Sequence, residues 1–277
     1  MNKPIQIVLV LYKLKLQDSL TYQSLVKFIN KTNINYDLLI YNNSPEVIVE
    51  KDDSYLLVNA TSNLMLANAY NYALKLADDT NKKWLLLLDQ DTALTHQFFT
   101  ELDSFLNTDY NFSFAAVVPI LFKKDTHLSP ISYSPKLGPF YSFKPITINV
   151  STKHCVSAYN SATMLDVEFM VALGGFSTDY PLDMLDHWYF YQIYKAKMPI
   201  FVLNAKIEQN LSLLDMSNSM NIERYEMYVK AQKKFVKELS FLAEFTLRFQ
   251  LIKSLVSQII IPRRRKFFKT TFYELIN

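Results

Sequence analysis

Asp89 and Asp91 stand one residue apart at the end of the apolar run Trp84-Leu85-Leu86-Leu87-Leu88. The run is too short to cross a membrane, and Lys82 and Lys83 bound it on the other side. It reads as a strand buried on both faces, as in a parallel sheet. Ligands of open α/β sheets bind beyond the carboxyl ends of the strands. Two carboxylates at that place suit a hard divalent cation, and such a cation suits a diphosphate. The same acids would also serve as a solvated strand end. A second acidic group follows in Asp183-Met184-Leu185-Asp186-His187-Trp188. Asp183 and Asp186, three residues apart, share a face if the segment is helical. A carboxylate among apolar and aromatic neighbours can act as a general base, while the alternative is a helix cap beside a solvated acid.

The chain has 277 residues and only three glycines, Gly138, Gly174 and Gly175, where an average chain of this length would have roughly 19. It therefore has no P-loop and no dinucleotide fingerprint. If it binds a nucleotide, carboxylate-held metal is the natural means of neutralising the phosphates.

The elements that must position these acids alternate. Strands are expected at Ile5–Tyr12, Tyr36–Tyr41, Tyr55–Val58 and Trp84–Leu88. Helices are expected at Ser19–Asn30, Asn63–Asp78 and Thr95–Leu106. This is the pattern of a parallel sheet with crossover helices. Ala115–Phe122, Ala158–Leu165 and Pro199–Leu203 read as further strands, and Val167–Leu173 as a short helix stopped by Gly174-Gly175. Residues 123–150, rich in Ser, Pro and aromatics, fit a long loop, a hairpin or a lid. From Ile222 the chain has no Gly, and no Pro until Pro262, so it reads as helical. Phe241, Leu242, Phe245, Phe249, Ile252, Val256 and Ile260 fall at helical spacing within it.

Half of the residues are hydrophobic and 14% are aromatic, enough for a sizeable core. No stretch is long enough for a transmembrane helix. Met1-Asn2-Lys3-Pro4 runs directly into a strand and lacks a signal-peptide pattern. The single cysteine, Cys155, leaves no internal disulfide and no cysteine metal cluster, and is expected to be a small buried residue. A cytoplasmic setting follows as the expectation. The net charge of +3 is uneven: residues 221–277 hold 12 Lys/Arg and 5 Asp/Glu. Such a basic tail suggests a membrane surface or a nucleic acid. Nucleic acid is disfavoured, because the charge is not set in a recognised binding fold.

Five pieces taken in order resemble family 2 glycosyltransferases of the GT-A fold, in the rhamnosyltransferase-like branch. They are the first strand ending at Tyr12; Tyr41-Asn42-Asn43-Ser44; Asn63 with Ala69-Tyr70-Asn71; Trp84 to Asp91 with Thr92; and Gly174-Gly175-Phe176 leading to Asp183 and Asp186. The resemblance covers about residues 5–205. It implies an α/β fold with a mainly parallel sheet flanked by helices, a catalytic domain over 1–220 and a helical, basic extension over 221–277.

The resemblance also implies roles. Tyr12, Asn42, Asn43, Asn63, Asn71, Asp89 and Gln90 would line the donor pocket. Asp91 would be the main ligand of Mn2+ or Mg2+, with Asp89 toward the ribose or the metal. Asp186 would be the catalytic base, with Asp183 the runner-up. His187 would touch the metal or a sugar hydroxyl, or be a structural, hydrogen-bonded histidine. His96, His127 and His154 have no spacing that supports a zinc site. The activity implied is inverting transfer of a sugar from a nucleoside diphosphate, UDP or dTDP in type. The acceptor would be a cell-surface polysaccharide or lipid-linked glycan, reached from the cytoplasmic side of the membrane, with peripheral contact through the basic tail or that tail packed on the domain. Tyr133, Phe140, Tyr141 and Phe143 could stack on the acceptor or simply pack the loop. Several positions depart from the family: Asn42 where Asp is common, Met65 where Gly follows the pocket Asn, Gln192 where Arg is frequent, and no Gly at Asn160-Ser161. These departures and the basic tail sustain an alternative, a non-catalytic glycosyltransferase-like scaffold in a membrane polysaccharide complex.

Overall fold

The apolar runs form a mixed sheet whose buried strands explain their composition. The computed structural model describes residues 4–111, 113–147, 154–209 and 220–277. In chain order the sheet's first half comprises β1 (Ile5–Leu11), α1 (Leu20–Ile29), β2 (Tyr36–Asn42), β3 (Leu56–Asn59), α2 (Met65–Asp79), β4 (Trp84–Asp89) and α3 (His96–Asn107). Then come β5 (Ala116–Lys123), β6 (Thr126–Ser129), β7 (Ile131–Tyr133), β8 (Phe143–Pro145), β9 (Cys155–Ser157), β10 (Thr163–Asp166), α4 (Val167–Ala172), α5 (Leu185–Lys195) and β11 (Ile200–Glu208). The tail holds α6 (Ile222–Leu239), α7 (Phe241–Ile260) and α8 (Phe268–Ile276).

The main sheet runs β11-β5-β10-β4-β1-β2-β3, with β6 added to β5 as a hairpin. β4, β1, β2 and β3 are mutually parallel, β11 is parallel to β5, and β10 runs antiparallel to both β4 and β5. All of β1 is buried, as are Leu85 to Leu88 of β4. That accounts for runs without polar alternation, since both faces are covered. α1 buries Thr21, Leu25 and Ile29, a single stripe, and α3 buries Phe98, Phe99, Leu102, Phe105 and Leu106. The chain winds outward from β1 to β3 and returns on the other side of β1 as β4. This reversal opens a crevice beyond the carboxyl ends of β1 and β4, where ligands of such sheets bind.

Two stretches differ in detail from the sequence expectation, and a third takes one of its alternatives. Ala158–Leu165 is not one strand: β9 ends at Ser157, and a turn closed by Thr163 N–H donating to Asn160 O (2.9 Å) precedes β10. Ala162 takes φ +59° there, outside the strand region. Residues 123–147 supply the β5–β6 hairpin and two short strands; 148–150 lie outside the described residues. The helical tail breaks at Ser240, whose backbone is extended (φ −172°, ψ 160°) and whose Oγ accepts from Ala243 N–H (3.0 Å). Ser240 thereby ends α6 and caps α7. Pro262 opens a 3-10 turn over Pro262–Phe267 that leads into α8.

The chain divides into two compact units. One is Met1–Pro130 with Pro145–Gln209; the other is Ile131–Lys144 with Asn210–Asn277. Within the second, α7 holds the aromatic segment by its backbone. Thr246 Oγ1 donates to Leu137 O, Gln250 Nε2 to Phe140 O and Ser240 Oγ to Lys136 O, each at 2.7 Å. Among the described residues, no helix is long and apolar enough to cross a membrane.

Candidate active site

The turn after β4 carries Asp89, Gln90 and Asp91, and α1 fixes it with hydroxyls. Ser19 Oγ donates to Gln90 O (2.7 Å), and Thr21 Oγ1 donates to Asp89 O while accepting from Thr92 N–H (2.9 Å). Ser24 Oγ accepts from Leu94 N–H (3.0 Å). The Gln90 carboxamide reaches across to β1, accepting from Tyr12 N–H (2.7 Å) and donating to Tyr12 O (3.1 Å). Gln90 thus prolongs the β1–β4 pairing by side chain and sets Tyr12, 43% exposed, at the rim of the crevice.

Beside Tyr12, the turn after β2 is a knot of amides. Asn42 is buried; its Nδ2 donates to Val47 O (2.7 Å) and Asn59 Oδ1 (2.9 Å), and its Oδ1 accepts from Ser44 N–H (3.1 Å). Asn43 Nδ2 donates to Asn63 Oδ1 (2.8 Å), and Asn43 Oδ1 accepts from Leu64 N–H (2.8 Å). Asn63 Oδ1 also accepts from Met65 N–H (3.0 Å), and Lys13 N–H donates to Ser44 Oγ (2.7 Å). The structure therefore brings Tyr12, Asn42, Asn43 and Asn63 together. Asn42 serves the turn itself, in a role that needs an N–H donor and that Asp could not fill. Among the three asparagines Asn63 is the exposed one, at the head of α2.

The third wall is the segment that leads to Asp186. Asn71 on α2 clasps Phe176: its Oδ1 accepts from Phe176 N–H and its Nδ2 donates to Phe176 O, both at 2.8 Å. Gly175 makes the clasp possible. Its φ is +88°, and a Cβ there would sit 2.5 Å from Asn71 Oδ1. Ala67 N–H donates to Pro181 O (3.0 Å), a second stitch between α2 and this segment. α5 then opens with Met184 at φ +63° and Asp186 in its first turn. Buried Tyr70, Phe176 and Tyr189 pack ring against ring, at 5.3 Å and 5.8 Å between centroids, and floor the site.

The carboxylates meet over this floor. Asp89 Oδ2 accepts from Ser161 Oγ (2.6 Å) and Oδ1 from Tyr70 OH (3.3 Å). Burial pushes the Asp89 carboxyl up to about 6; the charges of Asp91 and Asp186 add to this, against the two hydroxyl donors. Burial likewise raises Asp186 to about 6, offset by the His187 N–H that donates to its Oδ1 (2.8 Å). The charge of Asp186 also reaches Tyr70, Tyr159 and Tyr189, whose hydroxyls are pushed up chiefly by burial. Asp91 is exposed at the strand end, yet enough protein surrounds it to raise its carboxyl through desolvation.

Asp183 is buried, two residues before α5 begins. His187 is also buried; its Nδ1 lies 2.7 Å from Ser157 Oγ, and burial lowers it to about 4, so it is neutral at ordinary pH. Among the described residues no group of three or more His, Cys, Asp or Glu could hold a metal ion, so His187 does not join Asp89 and Asp91 in a protein-only cage. The donor set at the strand end is nonetheless oxygen-only. One exposed and one hydrogen-bonded carboxylate suit a small hard cation that keeps its other positions for phosphate oxygens and water.

Sequence reasoning did not single out Ser19, Thr21, Ser24, Tyr159, Ser161 and Tyr189 as site residues. Three hydroxyls in six residues at the head of α1 were the available signal. Ser161 replaces an expected glycine and supplies a hydrogen bond to Asp89.

No protein-family model matches the sequence, and no curated protein matches it. Solved structures do match the fold. GalNAc-T7, solved with UDP, GalNAc and Mn2+, superposes at a TM-score of 0.54 with 11% identity, over 83% of this chain. The chain spans about half of that structure, 48% of its length. The mannosyltransferase PcManGT from Pyrobaculum calidifontis, solved with GDP-Man and Mn2+, superposes at 0.52 with 12% identity, over 100% of this chain and 86% of its own. The fold is that of GT-A glycosyltransferases: a mixed, mainly parallel sheet flanked by helices.

Proposed function

We propose that the chain is a glycosyltransferase of the family 2 type, moving a sugar from a nucleoside diphosphate, UDP or dTDP in class, to a hydroxyl of a surface polysaccharide or lipid-linked glycan, with inversion. The observation that carries this reading is the convergence of Asp89 and Asp186 at the β1/β4 crevice, with Asp91 exposed at its edge. The GT-A fold and neighbours solved with nucleotides or a nucleotide sugar and Mn2+ support it.

Asp186 is the general base. Ionised and partly desolvated, it takes the proton of the acceptor hydroxyl as that oxygen attacks the anomeric carbon. Its raised carboxyl makes it a stronger base than a solvated aspartate while leaving it charged at neutral pH. Asp183 backs the same turn and is the second choice. Tyr12, Asn43 and Asn63 offer a ring face, amides and backbone for the nucleoside. Asn42, Asn71 and Gln90 brace those walls from behind. Asp91, with Asp89, would hold Mn2+ or Mg2+, which when bound neutralises the departing diphosphate. With no glycine-rich loop to cradle the phosphates by backbone N–H groups, that neutralisation falls to the metal.

The test is thermal stability against UDP, dTDP, GDP and CDP, each with and without Mn2+. A nucleotide at about 100 times its Kd adds roughly 2.7 kcal/mol. A metal-dependent shift with one nucleotide, abolished in Asp91→Ala, is the expected result. A folded sample that shifts with none of them would instead favour the non-catalytic scaffold.

A further inference from the structure

The apolar stripe of α7 faces outward. Phe241, Leu242, Phe245, Phe249, Ile252, Val256, Ile259 and Ile260 are all exposed, Phe241 at 83%, Phe245 at 61% and Ile260 at 69%. At 100° per residue these side chains span an arc of about 100°. The opposite face, with Ala243, Thr246, Leu247, Leu251 and Gln258, is the one that packs inside the helical unit. The helix thus buries its smaller and more polar side and presents its larger and more apolar one, along about 30 Å.

Charge flanks this stripe. Arg248 and Lys253 border the arc, and Arg263, Arg264, Arg265, Lys266 and Lys269 follow its end, all exposed. From Phe245 to Asn277 the only acidic side chain is Glu274. It is buried and paired with Lys233 at 2.8 Å, so beyond Glu244, half-buried in the first turn of α7, no exposed carboxylate side chain interrupts the field. Phe272, Tyr273 and Ile276 of α8 add exposed apolar surface beside the cationic turn.

We propose that α7 lies in the plane of an anionic membrane surface, its Phe/Ile/Val stripe among the acyl chains and the Arg263–Lys269 turn on the lipid headgroups. A helix with a single exposed apolar arc between cations has the form of an interfacial helix. The cations at the borders and end of this stripe far outnumber Glu244, its one half-exposed acid, a balance that suits anionic headgroups better than a second copy of the same surface. The surface lies within the helical unit alone and is independent of the transferase reading; its test does not use transfer.

The full chain is floated with vesicles of phosphatidylcholine alone, and with vesicles of equal parts phosphatidylcholine and phosphatidylglycerol, at low and high salt. Binding is expected on the anionic vesicles, weaker on neutral ones and weaker with salt. The double variant Phe245→Glu/Ile252→Glu should lose at least about tenfold in partitioning. Lys253→Gln/Arg263→Gln/Lys269→Gln, which leaves the stripe intact, should lose on the order of 100-fold on anionic vesicles. Circular dichroism checks that each variant is folded, and light scattering without vesicles gives the mass in solution. Unchanged partitioning of both folded variants overturns the proposal. So does a dimer that the stripe variant converts to monomer, which would make the face a self-interface.

Discussion

Gly175 faces Asn71 at the clasp on the segment that leads to Asp186, and its substitution separates two effects. In Gly175→Ala the new methyl would lie 2.5 Å from Asn71 Oδ1 at φ +88°. A side chain in the left-handed region costs about 1–2 kcal/mol. Displacing Asn71 forfeits its two hydrogen bonds to Phe176, at about 0.5–1.5 kcal/mol each. The loss should therefore be about 2–5 kcal/mol. Gly174→Ala is an internal control: it has the same φ of +88° but nothing within 4 Å of the new Cβ, so it should cost only the backbone part, about 1–2 kcal/mol. Asn71→Ala alone should lose the two bonds, about 1–3 kcal/mol. In the double variant Gly175→Ala/Asn71→Ala the bonds are lost once, not twice. The cycle, measured by urea denaturation, should be sub-additive by about 1–3 kcal/mol. Losses that add to within about 0.5 kcal/mol would refute the clasp. If the clasp holds Asp186 in place, Gly175→Ala should also lower transfer more than Gly174→Ala does.

Four further outcomes follow from the site. Asn42→Asp turns a buried two-bond donor against Val47 O and Asn59 Oδ1, so it should destabilise by at least about 2 kcal/mol in the same denaturation assay. With Asp186 at about 6, its ionised, basic form is lost as pH falls; kcat/KM should be flat above that value and fall about tenfold per unit well below it. Asp186→Asn should retain the nucleotide thermal shift and show no transfer at any pH; full transfer would remove it as the base. Met65→Gly relieves a side chain at φ +64° and should stabilise by up to about 1 kcal/mol, read from the urea midpoint.

The sheet was legible because its strands are buried on both faces, and runs such as Leu85–Leu88 carry no competing signal. The order of the helices followed from their stripes and from caps such as Ser19 and Thr95, whose side chains accept from Tyr22 and Phe98 N–H. Less visible was the division of labour among the amides. Asn42, Asn71 and Gln90 occur in the motif as candidates for ligand contact, yet Asn71 and Gln90 spend their carboxamides on backbone groups distant in sequence, and Asn42 ties its own turn to the Asn59 side chain on β3. No local pattern reports such a partner. The direction of the α7 stripe was equally hidden: periodicity gives a face, and only packing tells which way it points. The glycine-poor composition also conceals backbone requirements. Met65, Ala162 and Met184 all hold left-handed φ values around the site without the residue that would advertise them.

The bonds that hold Asp89 have a consequence for how the chain acquires its site. Thr21 meets the Asp89 carbonyl across 68 positions of sequence, Ser161 meets its carboxylate across 72, and Asn71 meets Phe176 across 105. Each is a closure whose entropy is spent before the contact repays it. Because β10 runs antiparallel between β4 and β5, Ser161 can reach Asp89 only once a strand more than seventy residues later has entered the sheet. A fragment ending after α3 could form β1 to β4 and still leave Asp89 without Ser161 or the Asp186 wall. Chemistry at this crevice is therefore a property of the completed sheet, not of its N-terminal half.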